Sequence, residues 1–111
     1  MNLSSLFGGG GSASPFNVSI LTTNTNATIT TSPAYFLGYD VGNRAASGGC
    51  DIKIRTGSTT GTLMYNIRVY HYNGGLGGSL LLGGGVYCPN GIYATDITLE
   101  TANPHIFYRN A

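Results

Sequence analysis

No window of this chain sustains an apolar repeat of 3.6 residues over even ten positions, so no long helix is expected. What recurs is short alternation of apolar and polar residues, cut repeatedly by glycine, proline and asparagine. Phe16-Asn17-Val18-Ser19-Ile20 alternates with period two. Residues 27–31 are short and β-branched, and residues 34–41 are mostly apolar. In Cys50-Asp51-Ile52-Lys53-Ile54-Arg55 the isoleucines point one way, and Asp51, Lys53 and Arg55 point the other. Residues 64–72 form the longest candidate. Residues 79–82 and 86–88 lie on either side of Gly83-Gly84-Gly85, and residues 92–99 and 106–109 alternate again. Pro89-Asn90-Gly91 reads as a hairpin turn, because Asn-Gly readily takes positive φ. Seven or eight short strands joined by Gly-rich turns predict an all-β fold: an antiparallel two-sheet sandwich, with the jelly roll as one form of it.

Length and polarity limit the alternatives. The chain has 111 residues, enough for one compact domain. Its 18 glycines would suit a disordered chain, but 41% hydrophobic residues with eight tyrosines and four phenylalanines can fill a core. Residues 1–14 read as a separate N-terminal arm. In it Leu3, Leu6 and Phe7 precede Gly8-Gly9-Gly10-Gly11, and four consecutive glycines cost too much backbone entropy to form a stable element. A bare linker has no use for three large apolar side chains, so these are candidate docking residues. Residues 15–111 form the sandwich domain. The first seven residues lack the basic stretch and long apolar run of a secretory signal, which predicts synthesis in a cytosol.

Several function classes find little support. Five Lys and Arg against four Asp and Glu give a net charge of +1, without the clustered basic face of a nucleic-acid binder. No run approaches the roughly 20 apolar residues of a membrane-spanning helix. No glycine run leads into the Gly-Lys-Ser/Thr of a phosphate loop, and Gly-x-Ser-x-Gly is absent. The carboxylates are Asp40, Asp51, Asp96 and Glu100. Asp51 falls on a polar strand face, and Asp40 and Asp96 read as ordinary strand or strand-end positions. No catalytic residue, cofactor or metal site is therefore assigned. Cys50 and Cys88 read as two small buried hydrophobes, as a disulfide across strands, or, with His71 and His105, as zinc ligands that lack the usual short spacing. His71 reads as a packing residue.

The aromatic residues are more informative. In residues 64–72 one strand face would carry Tyr65, Ile67, Val69 and His71, and the other Met64, Asn66, Arg68, Tyr70 and Tyr72. Tyrosine gives large contact area with a polar tip, so Tyr65, Tyr70 and Tyr72 are candidate subunit-contact residues, with a covering of the sandwich itself as the plainer reading.

The order of these segments resembles a family. The run Ile29-Thr30-Thr31-Ser32-Pro33-Ala34-Tyr35-Phe36-Leu37-Gly38-Tyr39-Asp40-Val41-Gly42 opens it. Cys50 to Leu63 continues it through a Gly- and Thr-rich turn. Gly91-Ile92-Tyr93 and the terminal Ile106-Phe107-Tyr108-Arg109 close it. Across residues 29–109 this resembles the small β-sandwich structural proteins of tailed bacteriophages, which serve as head decoration (cement) proteins or tail accessory proteins. The resemblance implies a non-enzymatic virion protein assembled in the host cytoplasm. Such a protein would form a homotrimer and stabilise the head lattice by binding the major capsid protein through its arm and subunit contacts. A tail- or fibre-associated module binding host-surface glycan is the alternative. The family supplies no residue roles to carry over, because its members act through surfaces.

Overall fold

A computed structural model describes residues 16–41, 48–71, 79–99 and 103–111. They form eight strands: β1 (Asn17–Ile20), β2 (Ala27–Thr30), β3 (Ala34–Asp40), β4 (Gly48–Thr56), β5 (Thr62–His71), β6 (Ser79–Cys88), β7 (Ile92–Thr98) and β8 (His105–Asn110). No helix occurs among the described residues. The strands make two four-stranded antiparallel sheets, in the order β1-β8-β3-β6 and β2-β7-β4-β5.

This order is a jelly roll. β1 pairs with β8, β2 with β7, β3 with β6 and β4 with β5, as in one long hairpin closed by the β4–β5 turn. Rolling that hairpin brings β8 beside β3 and β7 beside β4. Every connection except β4–β5 therefore passes from one sheet to the other. The expected two-sheet sandwich is present with eight strands. Residues 1–15 lie outside the described residues, and with them the proposed arm, including Leu3, Leu6 and Phe7.

Two expectations are corrected. Pro89-Asn90-Gly91 is not a hairpin turn, because it joins β6 in one sheet to β7 in the other. Gly91 does take the expected positive φ, 93°. The corner is fixed by the β4–β5 turn instead: Asn90 N–H donates to Thr56 Oγ1 at 3.0 Å, and Gly57 N–H donates to the Asn90 carbonyl at 3.2 Å. Likewise Gly83-Gly84-Gly85 does not end a strand. β6 runs through it as a wide bulge: Phe36 pairs with Val86 and Gly38 with Leu81, so two steps on β3 face five on β6. Gly85, at φ 79°, permits the bulge, since a Cβ there would lie 2.9 Å from Leu37 Cδ2.

Alternation places the core as expected. Cys50, Ile52, Ile54, Ile67, Ile92 and Ala94 from one sheet are buried with Ala34, Phe36, Cys88 and Ile106 from the other. Each large side chain sealed in this way contributes about 1.5–3 kcal/mol. Gly38 is the tight point. Its φ is 145°, and a Cβ there would overlap the Leu80 carbonyl oxygen on β6. Gly38→Ala is therefore expected to cost about 3 kcal/mol in urea unfolding, through strain and overpacking. Gly84→Ala, which meets nothing within 4 Å, is expected to change stability by less than about 1 kcal/mol. Equal losses at the two sites would contradict the bulge geometry.

Candidate interaction surface

Burying the inner faces of two sheets leaves two outer faces, and they differ in chemistry. On the β2-β7-β4-β5 sheet the outer face is charged. It carries Asp51, Lys53, Arg55, Arg68 and Asp96, five of the nine charged residues in the chain. Arg68 Nε donates to Asp51 Oδ1 at 3.2 Å. The Asp96 carboxylate receives Lys53 Nζ at 3.5 Å and Arg55 at 3.7 Å. Arg55 also donates to Thr95 Oγ1 at 3.1 Å and to the Gly61 carbonyl at 2.9 Å. A shallow depression of about 210 Å³ lies over these groups.

Asp96 is not the ordinary strand position that alternation implied. It has φ 51° and sits in a β-bulge: Asp51 pairs with Thr98 and Lys53 with Thr95, so β7 has one residue more than β4. Aspartate tolerates this left-handed conformation better than most residues. The bulge brings one carboxylate between two cations while Ala94 and Ile97 both stay buried.

On the β1-β8-β3-β6 sheet the outer face is apolar and aromatic. Val18 lies opposite Phe107, and Tyr35 opposite both Arg109 and Tyr87. Phe16 packs edge-on against Phe107 with ring centres 5.6 Å apart, and Tyr35 lies 5.1 Å from Tyr87. The Arg109 guanidinium sits 4.8 Å from the Tyr35 ring centre, a cation–π contact. Leu81 is 73% exposed, Ile20 53%, Tyr87 47% and Val18 45%. Phe16, Leu37, Leu81, Leu82, Phe107 and Arg109 border a groove of about 380 Å³. Scattered exposed leucines are ordinary, but a contiguous apolar face on one side of a small domain makes it the candidate contact surface.

The candidate contact tyrosines fall elsewhere or outside view. Tyr65 is half-buried on the core side of β5, its ring 5.3 Å from that of Phe36. The Tyr70 backbone pairs with Gly49, while its side chain and all of Tyr72 lie outside the described residues. On the same strand Asn66 and Arg68 face outward as alternation requires. The two cysteines sit in opposite sheets as buried thiols and form no disulfide. His105 is half-buried on β8, opposite Ile20 and Asp40, and the His71 side chain lies outside the described residues. Among the described residues no three His, Cys, Asp or Glu side chains converge as a metal-holding group.

Comparison with family models, curated proteins and solved structures finds no match for this chain. The surface must therefore be interpreted from its own chemistry.

One buried and one half-buried group give the fold a pH signature. Burial pushes the Cys88 thiol above its ordinary value, although a hydrogen bond from the Phe36 backbone lowers it in part. Partial burial also raises the Tyr39 hydroxyl, and Tyr65 and Cys50 raise it further. A raised folded-state pKa means that the unfolded chain ionises first. Stability is then complete below the unfolded thiol's value near 9 and declines as pH rises beyond it. Urea midpoints are expected to hold from pH 7 to 8.5 and fall at higher pH. Cys88→Ala should show a shallower fall, and an unchanged slope would assign the decline elsewhere.

Proposed function

We propose that this protein is a non-enzymatic structural protein of a tailed-phage virion. It acts as a head decoration protein, bound as a trimer to the major capsid protein and held by its outer apolar face and its N-terminal arm. The observation that supports this reading is the apolar face of the β1-β8-β3-β6 sheet, with Leu81, Tyr87, Ile20 and Val18 exposed together.

The size of that face is informative. Four strands spaced about 4.8 Å apart, from about 13 Å long in β1 to about 33 Å in β6, present roughly 400 Å² in projection. Such an area lies in the range of functional surface patches but well below the roughly 800 Å² per partner of a standard stable complex. One face alone gives weak attachment. Repetition around a trimer and a tether that reaches a neighbour add the rest, because linked contacts multiply through effective concentration. Ion pairing already engages the charged groups of the other sheet with one another, which suits a solvent-facing surface.

The test uses purified heads of the phage whose genome encodes the chain, stripped of this protein. The wild-type chain is expected to co-sediment with them at a fixed ratio to the major capsid protein. Leu81→Asp, at a highly exposed position, should fold normally and lose binding at least about tenfold, as expected when a charge enters an apolar contact. Lys53→Ser on the opposite face should bind like wild type. Absence of the chain from purified virions, or full binding by Leu81→Asp, would contradict the proposal.

A further inference from the structure

We propose that the shallow depression on the charged outer face of the β2-β7-β4-β5 sheet is a binding site for one neutral sugar ring. The proposal goes beyond the attachment reading and does not depend on it, because it uses the opposite side of the molecule.

The register of three strands builds the site as a grid. Arg68 on β5 lies opposite Asp51 on β4, and Asp51 lies opposite Thr98 on β7. In the next row Asn66 lies opposite Lys53, and Lys53 lies opposite Thr95, where the β7 bulge sets Asp96 within 3.5 Å of the lysine. Arg68, Asp51, Thr98, Asn66, Lys53 and Asp96 line the depression. Arg68 and Lys53 only donate hydrogen bonds, Asp51 and Asp96 only accept them, and Asn66 and Thr98 do both. Cross-strand Cβ atoms stand about 4.5–5.5 Å apart. One hydroxyl making two hydrogen bonds of about 2.8 Å bridges such a pair.

The charge balance selects the ligand. Asp51 and Asp96 against Lys53 and Arg68 leave the lining with no net charge. An anion would meet two carboxylates there, and a cation would meet an ammonium and a guanidinium, so neither gains from the site as a whole. A neutral polyol uses every group, because each of its hydroxyls both donates and accepts. The ion pairs leave room for it. Lys53 Nζ and Arg55 lie 3.5 and 3.7 Å from the Asp96 carboxylate, beyond the roughly 2.7–3.2 Å of a good hydrogen bond. A hydroxyl can therefore donate to Asp96 without displacing a hydrogen bond from either cation. Exposed pairs of this kind contribute little stability, so loosening them costs little.

The backbone at Asp96 is a second observation. Its φ of 51° is uncommon outside glycine. A bulge re-aims a side chain, and strained backbone concentrates where ligands bind. A face that had only to be polar needs no such irregularity, since Asp51 and Lys53 achieve it by plain alternation. The depression, about 210 Å³, is smaller than the roughly 300–1,000 Å³ of pockets that enclose a drug-sized ligand. It suits one ring, held with a dissociation constant on the order of millimolar.

The experiment titrates the isotope-labelled full-length chain with the methyl glycosides of glucose, galactose, mannose and N-acetylglucosamine, followed by NMR. Each is taken to about 50 mM, well above the expected constant. At least one is expected to shift the Asn66 side-chain amide and the Lys53 and Thr98 backbone amides saturably, with Leu81 and Tyr87 unmoved. Asp96→Asn, which keeps a side chain that tolerates positive φ, should weaken binding at least about tenfold through loss of a charged acceptor. Leu81→Asp, on the opposite face, should bind sugar like wild type. Glucosamine and N-acetylneuraminic acid, a cation and an anion, should bind more weakly than the best neutral glycoside. No saturable shift with any of the four glycosides would overturn the proposal. So would shifts centred on Tyr35 and Tyr87, undiminished binding by Asp96→Asn, or tighter binding of either charged sugar. The titration uses the isolated chain, so its failure leaves particle attachment unaffected, and failure to attach leaves its result intact.

Discussion

The structure depends on the closure of two sheets over one thin apolar layer. Phe36 and Ile106 reach from one side, and Ile52, Ile54, Ile67 and Ile92 from the other, all fully buried. A small domain buries a modest share of its surface, so this layer must be sealed tightly. The jelly-roll path helps, because six of its seven connections cross between sheets and hold the layers together from both ends. The Pro89-Asn90-Gly91 corner is one such crossing. Its hydrogen bonds to Thr56 and Gly57 tie it to the β4–β5 turn, which stays within one sheet.

Closure also determines what is left outside. A sandwich of two sheets has two outer faces, and among the described residues no third layer covers them. Here one outer face is laced with ion pairs, and the other is lined with Phe16, Val18, Leu37, Leu81, Tyr87 and Phe107. Exposed ion pairs add little stability, typically below about 1 kcal/mol each. Their effect is to keep one side polar, which leaves a two-sided object with one apolar outer surface. That surface is the one the proposed attachment would use.

Much of the fold was legible in the alternation of residues. Asp51, Lys53 and Arg55 face out and Cys50, Ile52 and Ile54 face in, as period two requires. The misreadings trace to places where the period slips. Buried residues occur at Ile92 and Ala94, then at Ile97 and Leu99, so the phase changes between 94 and 97. That slip is the sequence mark of the Asp96 bulge. Three glycines in β6 looked like a break because glycine carries no alternation signal, yet a strand with no side chains to clash can bulge and continue. Asn-Gly revealed the backbone conformation of its corner but not its partner strands, which long-range pairing decides. The apolar outer face left a trace as well. Residues 34–39 and 106–108 are apolar or aromatic on both faces, a pattern of strands covered on two sides. Among the described residues only one of those sides is covered. The tyrosines of β5 drew attention because they cluster in sequence, whereas the face itself is gathered from four strands and from residues nearly 100 positions apart.

The most direct test of the two-faced account is hydroxyl-radical footprinting of the protein free and on the particle. Val18, Ile20 and Tyr87 lie on the apolar face, and Leu63 on the opposite sheet. The account predicts that the first three lose labelling several-fold on assembly while Leu63 keeps its own. Protection of Leu63 with Val18, Ile20 and Tyr87 still open would show that the charged side is the one that binds, and would contradict it.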